Sequence, residues 1–554
     1  MTDGQQTFYE RAEQFIRQYL EESPVSATQL GVHRFDDRLS DRSTSGLDRQ
    51  RRQIGQALAE LEKAGSEQLD LDAQIDHRLM VNTLRMMLRG HDVLRTHARN
   101  PGEYADECMG GVFLLLVKEF APLADRLRSV KGRLEATPEV LEQAKQNIVP
   151  EEVPPVWAEV AVESVQQGLG LYTGVLPALA GSVPEGDKLS AAAERAAEAM
   201  RAYGRYLQET VLPRARGRFA VGEELFDEML SQDHMVDYTA EELLATGRRL
   251  FKETREEMTA LAGSIAPGKE VKAMLDEAKG DHPSPEDLLD SYRGEMERAR
   301  AFVAENDVVT IPAGERLRVE PTPPFLRGII PYAAYMMPGP MEEAQEGIFL
   351  VTAVDPDAPW EQQRAQLRGH HWAKLPITAV HEAYPGHHLQ LVYANGVGTL
   401  PRKLGGLMST LFVEGWAFYC EQLMEDLGFL GAPMQRLGRL QDSLWRCARI
   451  ILDASLHTGE MGVEEAIDFL VDEVGLERES ARAEVRRYTS SPTQPMSYQM
   501  GKKEIMSLME EYKGRHPSAS LKELHDAVLS CGSLPPRLMR RRLLGTSRKG
   551  VHHG

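Results

Sequence analysis

An apolar, helix-forming approach at 375–380 runs directly into His381-Glu382-Ala383-Tyr384-Pro385-Gly386-His387-His388. The proline and glycine inside this run disturb the regular winding of a straight helix. A His-Glu-x-x-His run on a helix binds zinc through its two histidines, with the Glu as general base. Here the fifth position is Pro385. On a straight helix His388 would return to the face of His381 about 10.5 Å along the axis, and His387 would lie about 9 Å away, turned by roughly 240°. Neither placement suits ligand nitrogens that sit ~2.0–2.1 Å from one zinc ion. Pro385 has no N–H for the His381 carbonyl, and its ring clashes with that carbonyl; Gly386 accepts whatever angles follow. The pair can therefore form a two-residue insertion that moves His387 into the place of the second histidine. His388 then points elsewhere, to substrate or to a carboxylate behind the ligands.

A zinc site needs a third protein ligand and an open position. Glu414, a carboxylate within the apolar run Leu411-Phe412-Val413-Glu414-Gly415-Trp416, is the candidate. Buried unpaired it would be costly, so it meets either a metal or a cation such as Arg446 or Arg449. Glu421, seven residues on, is placed to orient a ligand or to pair with an arginine. Hydrolysis further requires a base for water and a donor for the oxyanion. Glu382, beside a ligand without being one, suits the first role. Tyr498, in the polar loop that also follows Tyr488, suits the second, with His457 as another donor and Asp453 one turn before it as its partner. Arg446, Arg449 and Asp453 share a helix face; that face could take a substrate carboxylate or form an ion-pair ladder. Tyr488 and His388 complete the candidate substrate contacts read at this stage.

The chain of 554 residues carries 64 basic and 84 acidic side chains, a net charge of −20, which argues against a general nucleic-acid surface. Cys108, Cys420, Cys447 and Cys531 form no CxxC pair and read as reduced thiols of a cytoplasmic protein. No signal-like N-terminus and no run of ~18 apolar residues is present, so no membrane association is expected.

Helical periodicity dominates. Residues 1–235 read as an N-terminal helical bundle and 236–554 as a catalytic region, the two packing as one unit. Thr239-Ala240-Glu241-Glu242 predicts a capped helix start, and Ser284-Pro285 another. A small β island at about 308–353 has strand candidates at 308–312, 317–320 and 347–352, around a proline-rich irregular segment at 321–340. Helices then return, including 375–395, 403–426 and 431–459, and Arg537, Arg540, Arg541 and Arg542 lie in a basic, frayed tail.

HEAYPGHHLQ at 381–390, VEGWAFYCEQL at 413–423, RCARIILDASLH at 446–457 and RRYTSSPTQPMSYQMGK at 486–502 together resemble the bacterial domain-of-unknown-function family 885 (DUF885). The segment ATQLGVHRFDDRLSD at 27–41 is similar to that family's opening. The resemblance implies zinc peptidases distantly similar to carboxypeptidase Taq and angiotensin-converting enzyme, and favours His387 over His388 as ligand. It implies a mostly α fold of gluzincin type, a large helical cradle around a deep groove. A small sheet beside the zinc helix would offer an edge strand to an extended peptide. The strand at 347–352 is expected to be that edge, with Gly347 and Phe349 against substrate.

The expectation is a hydrolase holding Zn2+ through His381, His387 and Glu414 and cleaving short or unfolded peptides. A zinc amidase acting on a small metabolite and a metal-free helical binding protein are the alternatives.

Overall fold

In a computed structural model of the protein, residues 3–181, 183–184, 186–323, 327, 330, 332–405 and 409–545 are described. They are mostly helical, with one three-stranded sheet. No helix among the described residues is long and apolar enough to cross a membrane. The chain divides into two compact units, residues 1–219 with 339–342, and residues 220–338 with 343–554. The division falls before position 235 because the helix Glu223–Gln232 belongs with the second unit. Its Phe226 stacks on His457, and the preceding Gly222 N–H bonds the His457 carbonyl at 2.8 Å.

The first unit is built from helices whose apolar stripes face inward, among them Asp3–Glu22, Leu71–Arg89, Leu123–Asn147 and Gly186–Tyr206. Its opening segment has a structural task. The fully buried Arg133 guanidinium donates to the Gly111 carbonyl at 2.5 Å, the Arg38 carbonyl at 3.1 Å and the Thr28 hydroxyl at 2.5 Å. Thr28 in turn donates to Asp36 at 2.5 Å. The polar residues of 27–41 therefore satisfy one buried cation, which would otherwise be prohibitively placed.

In the second unit the Thr239 capping box forms as expected and opens the helix Ala240–Ile265. The Ser284 hydroxyl caps Asp287, but the helix it precedes starts only at Leu288. The sheet consists of β1 (Arg316–Pro321), β2 (Ala333–Met336) and β3 (Glu346–Val351). Residues 308–312 form no strand; the Val308 carbonyl faces His525 Nδ1 at 2.7 Å, and Thr310 N–H donates to Asp526 at 2.8 Å.

The strand order is β1-β3-β2, with β3 parallel to β1 and antiparallel to β2. This corrects the expectation for 347–352. The segment read as irregular contains β2, which returns along the free side of β3 and leaves it central, paired on both edges. Gly347 and Phe349 are accordingly not substrate contacts. Phe349 is 2% exposed and packs on Tyr292, while a Cβ on Gly347 would lie 2.7 Å from His388 Nδ1. The glycine is what lets the sheet close onto the metal-motif helix.

Six helices frame the site: α1 (Leu375–Glu382), α2 (His387–Asn395), α3 (Thr410–Asp426), α4 (Pro433–Thr458), α5 (Arg478–Tyr488) and α6 (Ser497–Arg515). The expected 375–395 helix is thus two, broken at the Pro-Gly pair. The C-terminal arginines are not frayed: the helix Pro536–Leu544 pairs Arg540 with Glu511 at 3.2 Å. α3 carries Phe412, Trp416 and Phe418 fully buried. It crosses α6 at Gly415 and Gly501, where a Cβ on Gly501 would stand 1.9 Å from the Leu411 carbonyl oxygen and 2.9 Å from Gly415 Cα. Backbone meets backbone there, so no side chain can yield. Gly501→Ala should lower stability by on the order of 1–3 kcal/mol. Urea denaturation measures this, and an unchanged midpoint would contradict the crossing.

Candidate metal centre

α1 ends at Glu382 because Pro385 withholds its N–H and the chain turns at Ala383, whose φ of −112° and ψ of −86° lie outside the helix. The Tyr384-Pro385 peptide is cis. Gly386 packs flat against the end of α1: a Cβ there would sit 1.9 Å from the His381 carbonyl oxygen and 2.3 Å from that of Val380. Only glycine fits. The Trp416 indole N–H donates to the Pro385 carbonyl at 2.8 Å, tying the turn to α3. α2 then begins at His387, whose ring lies edge-on to that of His381 with centroids 4.7 Å apart.

The donor atoms of His381, His387 and Glu414 all lie within 4.8 Å of one another. His387 Nε2 is 3.5 Å from Glu414 Oε2. Ligands at ~2.0–2.1 Å in a tetrahedron stand about 3.4 Å apart, so the three atoms suit one zinc after a small closure. His381 Nδ1 bonds Glu421 Oε1 at 2.7 Å, which leaves its Nε2 for a metal and fixes the ring. Glu414 is therefore matched with His387 and not with Arg446 or Arg449. The side chains of His381, His387 and Glu414 are 11%, 13% and 18% exposed, so solvent reaches the centre.

Burial disfavours charge on Glu414, yet the hydrogen bond and charge of His387, helped by His381 and Tyr498, hold its pKa down at about 2. Burial likewise opposes protonation of His387, and the same bond, with the charges of Glu414, Glu382 and Glu421, raises its pKa nonetheless. An acid-rich pocket of this kind attracts a cation. The Glu382 carboxylate accepts no hydrogen bond from a described residue, and its charge acts on His387, Tyr335 and Tyr292. Tyr498, at the start of α6, lies beside Glu414 and Arg449, whose charges act on its hydroxyl. Burial and the Glu414 charge raise its pKa against the pull of Arg449 and Arg446, so it stays a protonated donor.

His388 has another task. It is fully buried, with Nδ1 3.0 Å from the Tyr335 hydroxyl and Nε2 2.8 Å from Glu315. Glu315 also accepts from the Tyr384 hydroxyl at 2.7 Å and from Arg300 at 3.0 Å. With both nitrogens engaged, His388 is not a substrate contact; it joins α2 to the sheet through a carboxylate, one of the two alternatives read from sequence. Glu315, Tyr335 and Tyr384 were missed, since nothing local marks Glu315 and the doubled histidine was the only hint.

His457 also falls away as an oxyanion donor. Its ring is fully buried, with Nε2 3.0 Å from the Tyr488 carbonyl, and burial lowers its pKa to about 4. Asp453 does not orient it. Oδ1 and Oδ2 instead accept the N–H groups of Thr493 and Met496 at 3.0 and 3.1 Å, pinning the loop that delivers Tyr498. The Tyr488 hydroxyl accepts from Arg449 at 2.9 Å and is buried, so it supports that arginine instead of meeting substrate.

A mostly helical fold carrying a two-histidine, one-carboxylate constellation defines a candidate mononuclear metal protein. The chain belongs to the family described as "Bacterial protein of unknown function (DUF885)", which it matches over residues 24–543. No curated protein matches it. Among solved structures it is similar to a protein from Shewanella oneidensis described as a "putative lipoprotein of unknown function", at 27% identity and a TM-score of 0.80, covering 97% of this chain and 99% of that one. It also shares its fold with a "putative lipoprotein" from Colwellia psychrerythraea, at 18% identity and a TM-score of 0.82, covering 98% and 99%.

Burial pushes the Asp453 carboxyl up to about 8, against the two backbone hydrogen bonds that favour its charged form. An acid whose folded pKa exceeds its unfolded value of about 3.9 binds more protons when folded. Its contribution is fully present below pH ~4 and is lost as pH rises toward ~8. Asp453→Asn should flatten the fall in stability between pH 5 and 8, followed by thermal denaturation. An unchanged slope would place the titration elsewhere.

Proposed function

We propose that the protein is a zinc-dependent hydrolase of gluzincin type that cleaves peptide bonds of short or unfolded peptides. The observation that carries this reading is the convergence of His381, His387 and Glu414 within 4.8 Å across the Pro-Gly insertion. Their chemistry fits the ion: two imidazoles and one carboxylate are a common set for catalytic zinc, and Glu421 supplies the customary carboxylate behind a histidine. Bound there, zinc would supply Lewis acidity, polarising a carbonyl and making water acidic.

The protein's own groups do the rest. Glu382, uncommitted to any described donor, takes the proton of the attacking water and passes it to the leaving amine. The Tyr498 hydroxyl donates to the oxyanion, and Asp453 holds its loop so that this donor is in place before substrate arrives. Strand addition by a peptide falls to an edge strand, β1 or β2, since β3 is closed on both sides.

Zinc analysis of protein grown with zinc should give close to one ion per chain, and less than about 0.2 would contradict a site of three ligands. His387→Ala should lose the metal while His388→Ala keeps it. Glu382→Gln should retain zinc and lose at least about 100-fold in peptide turnover; loss of zinc instead would mean that the residue is a ligand.

A further inference from the structure

Beside Tyr498, α4 presents a cluster of donors that the hydrolytic machinery does not use. The guanidinium carbons of Arg446 and Arg449 lie 5.5 and 4.5 Å from the centroid of the Tyr498 ring. Both also stack on the Trp445 indole, at 4.9 and 4.4 Å. Arg449, 5% exposed, spends Nε on the Tyr488 hydroxyl at 2.9 Å and Nη2 on Glu484 at 3.0 Å. Its Nη1 has no partner among the described residues. Arg446 Nη1 is 3.3 Å from Asp442 Oδ1 but outside hydrogen-bond geometry, and Asp442 is already gripped by Lys374. Arg446 Nε and Trp445 Nε1 are likewise buried and unpartnered among the described residues.

Buried donors are almost always satisfied, and charged ones cost most when they are not. Four such nitrogens on one stretch of α4, three of them on the arginines that flank Tyr498, call for an acceptor from outside the fold. Two planar guanidinium forks match a carboxylate. A dianion is disfavoured, because Glu414, Asp442 and Glu484 already crowd the cluster with negative charge. The charges of Glu414 and of both arginines act on the Tyr498 hydroxyl. The guanidinium carbons stand 4.5 and 5.5 Å from the ring that separates them from Glu414, a spacing on the order of one or two residues at about 3.5 Å each.

Resting on the metallohydrolase reading above, we propose that Arg446 and Arg449 anchor the C-terminal carboxylate of the substrate, making the protein a carboxypeptidase that releases one or two residues. Each turnover adds one water across a C–N bond. The shortened peptide gains the new carboxylate, and the released amino acid or dipeptide leaves with the proton on its amine.

The test uses full-length Glu382→Gln protein and calorimetric binding of three probes: acetyl-Ala-Ala-Phe as the free acid, the same peptide as its amide, and acetyl-Ala-Ala-Glu amide. The free acid should bind at least about ten-fold tighter than either amide. Arg446→Gln should weaken the acid by a similar factor and leave the amides within about two-fold. Equal binding of acid and amide overturns the anchor. Tight binding of the Glu amide moves it to an acidic side chain and overturns the C-terminal assignment. Because the acid-to-amide ratio is read without turnover, on zinc-loaded and zinc-stripped protein alike, it answers even if zinc analysis refutes the metal reading.

Discussion

The flat contact of Gly386 on the carbonyls of Val380 and His381 is the constraint on which the site depends. It permits the chain to stop one helix and begin another within four residues, and so to set His387 beside His381. Any Cβ would push α2 off the end of α1 and carry His387 away from Glu414. The turn has a second anchor in the Trp416 indole, whose bond to the Pro385 carbonyl comes from the helix that also carries Glu414. The two histidines and Glu414 are thus positioned by one local packing event.

The same economy recurs one layer out. α3 must hold Glu414 toward the histidines and Glu421 behind His381, seven residues apart and two turns along one face. It can do so while buried because α6 crosses it at Gly415 and Gly501 with backbone in contact. That close crossing also brings Tyr498, at the first turn of α6, to Glu414. Side chains of ordinary size at either glycine would separate the tyrosine from the carboxylate it serves.

What the sequence made legible follows from how local each constraint is. The irregularity at Pro385-Gly386 and the grouping of His387 and Glu414 with His381 rest on proline and glycine chemistry and on a carboxylate in an apolar run, all visible within a few residues. The Thr239 cap was legible for the same reason. Strand order was not: β2 lies in a proline-rich stretch with no alternating pattern, so its pairing with β3 could not be read, and Gly347 and Phe349 were misassigned with it. His457 and Tyr488 looked chemical because polar residues in a motif attract that reading. Their burial depends on α5 and on the Glu223–Gln232 helix, elements distant in sequence. Glu315 had no local mark at all.

Charge is sorted around Tyr498. Glu414, Glu382 and Glu421 face the histidines, whereas Arg446 and Arg449 stack on the phenol ring. A phenol between these two fields keeps its proton, because the nearby carboxylate and burial outweigh the arginines. The arginines still polarise its O–H bond toward any oxygen that gains charge beside it. A substrate that ends in a carboxylate would complete the sorting, placing its own negative charge on the cationic side and its scissile carbonyl on the other. Pulled in both directions, the peptide would be aligned across the tyrosine by electrostatics alone, before any side chain is recognised.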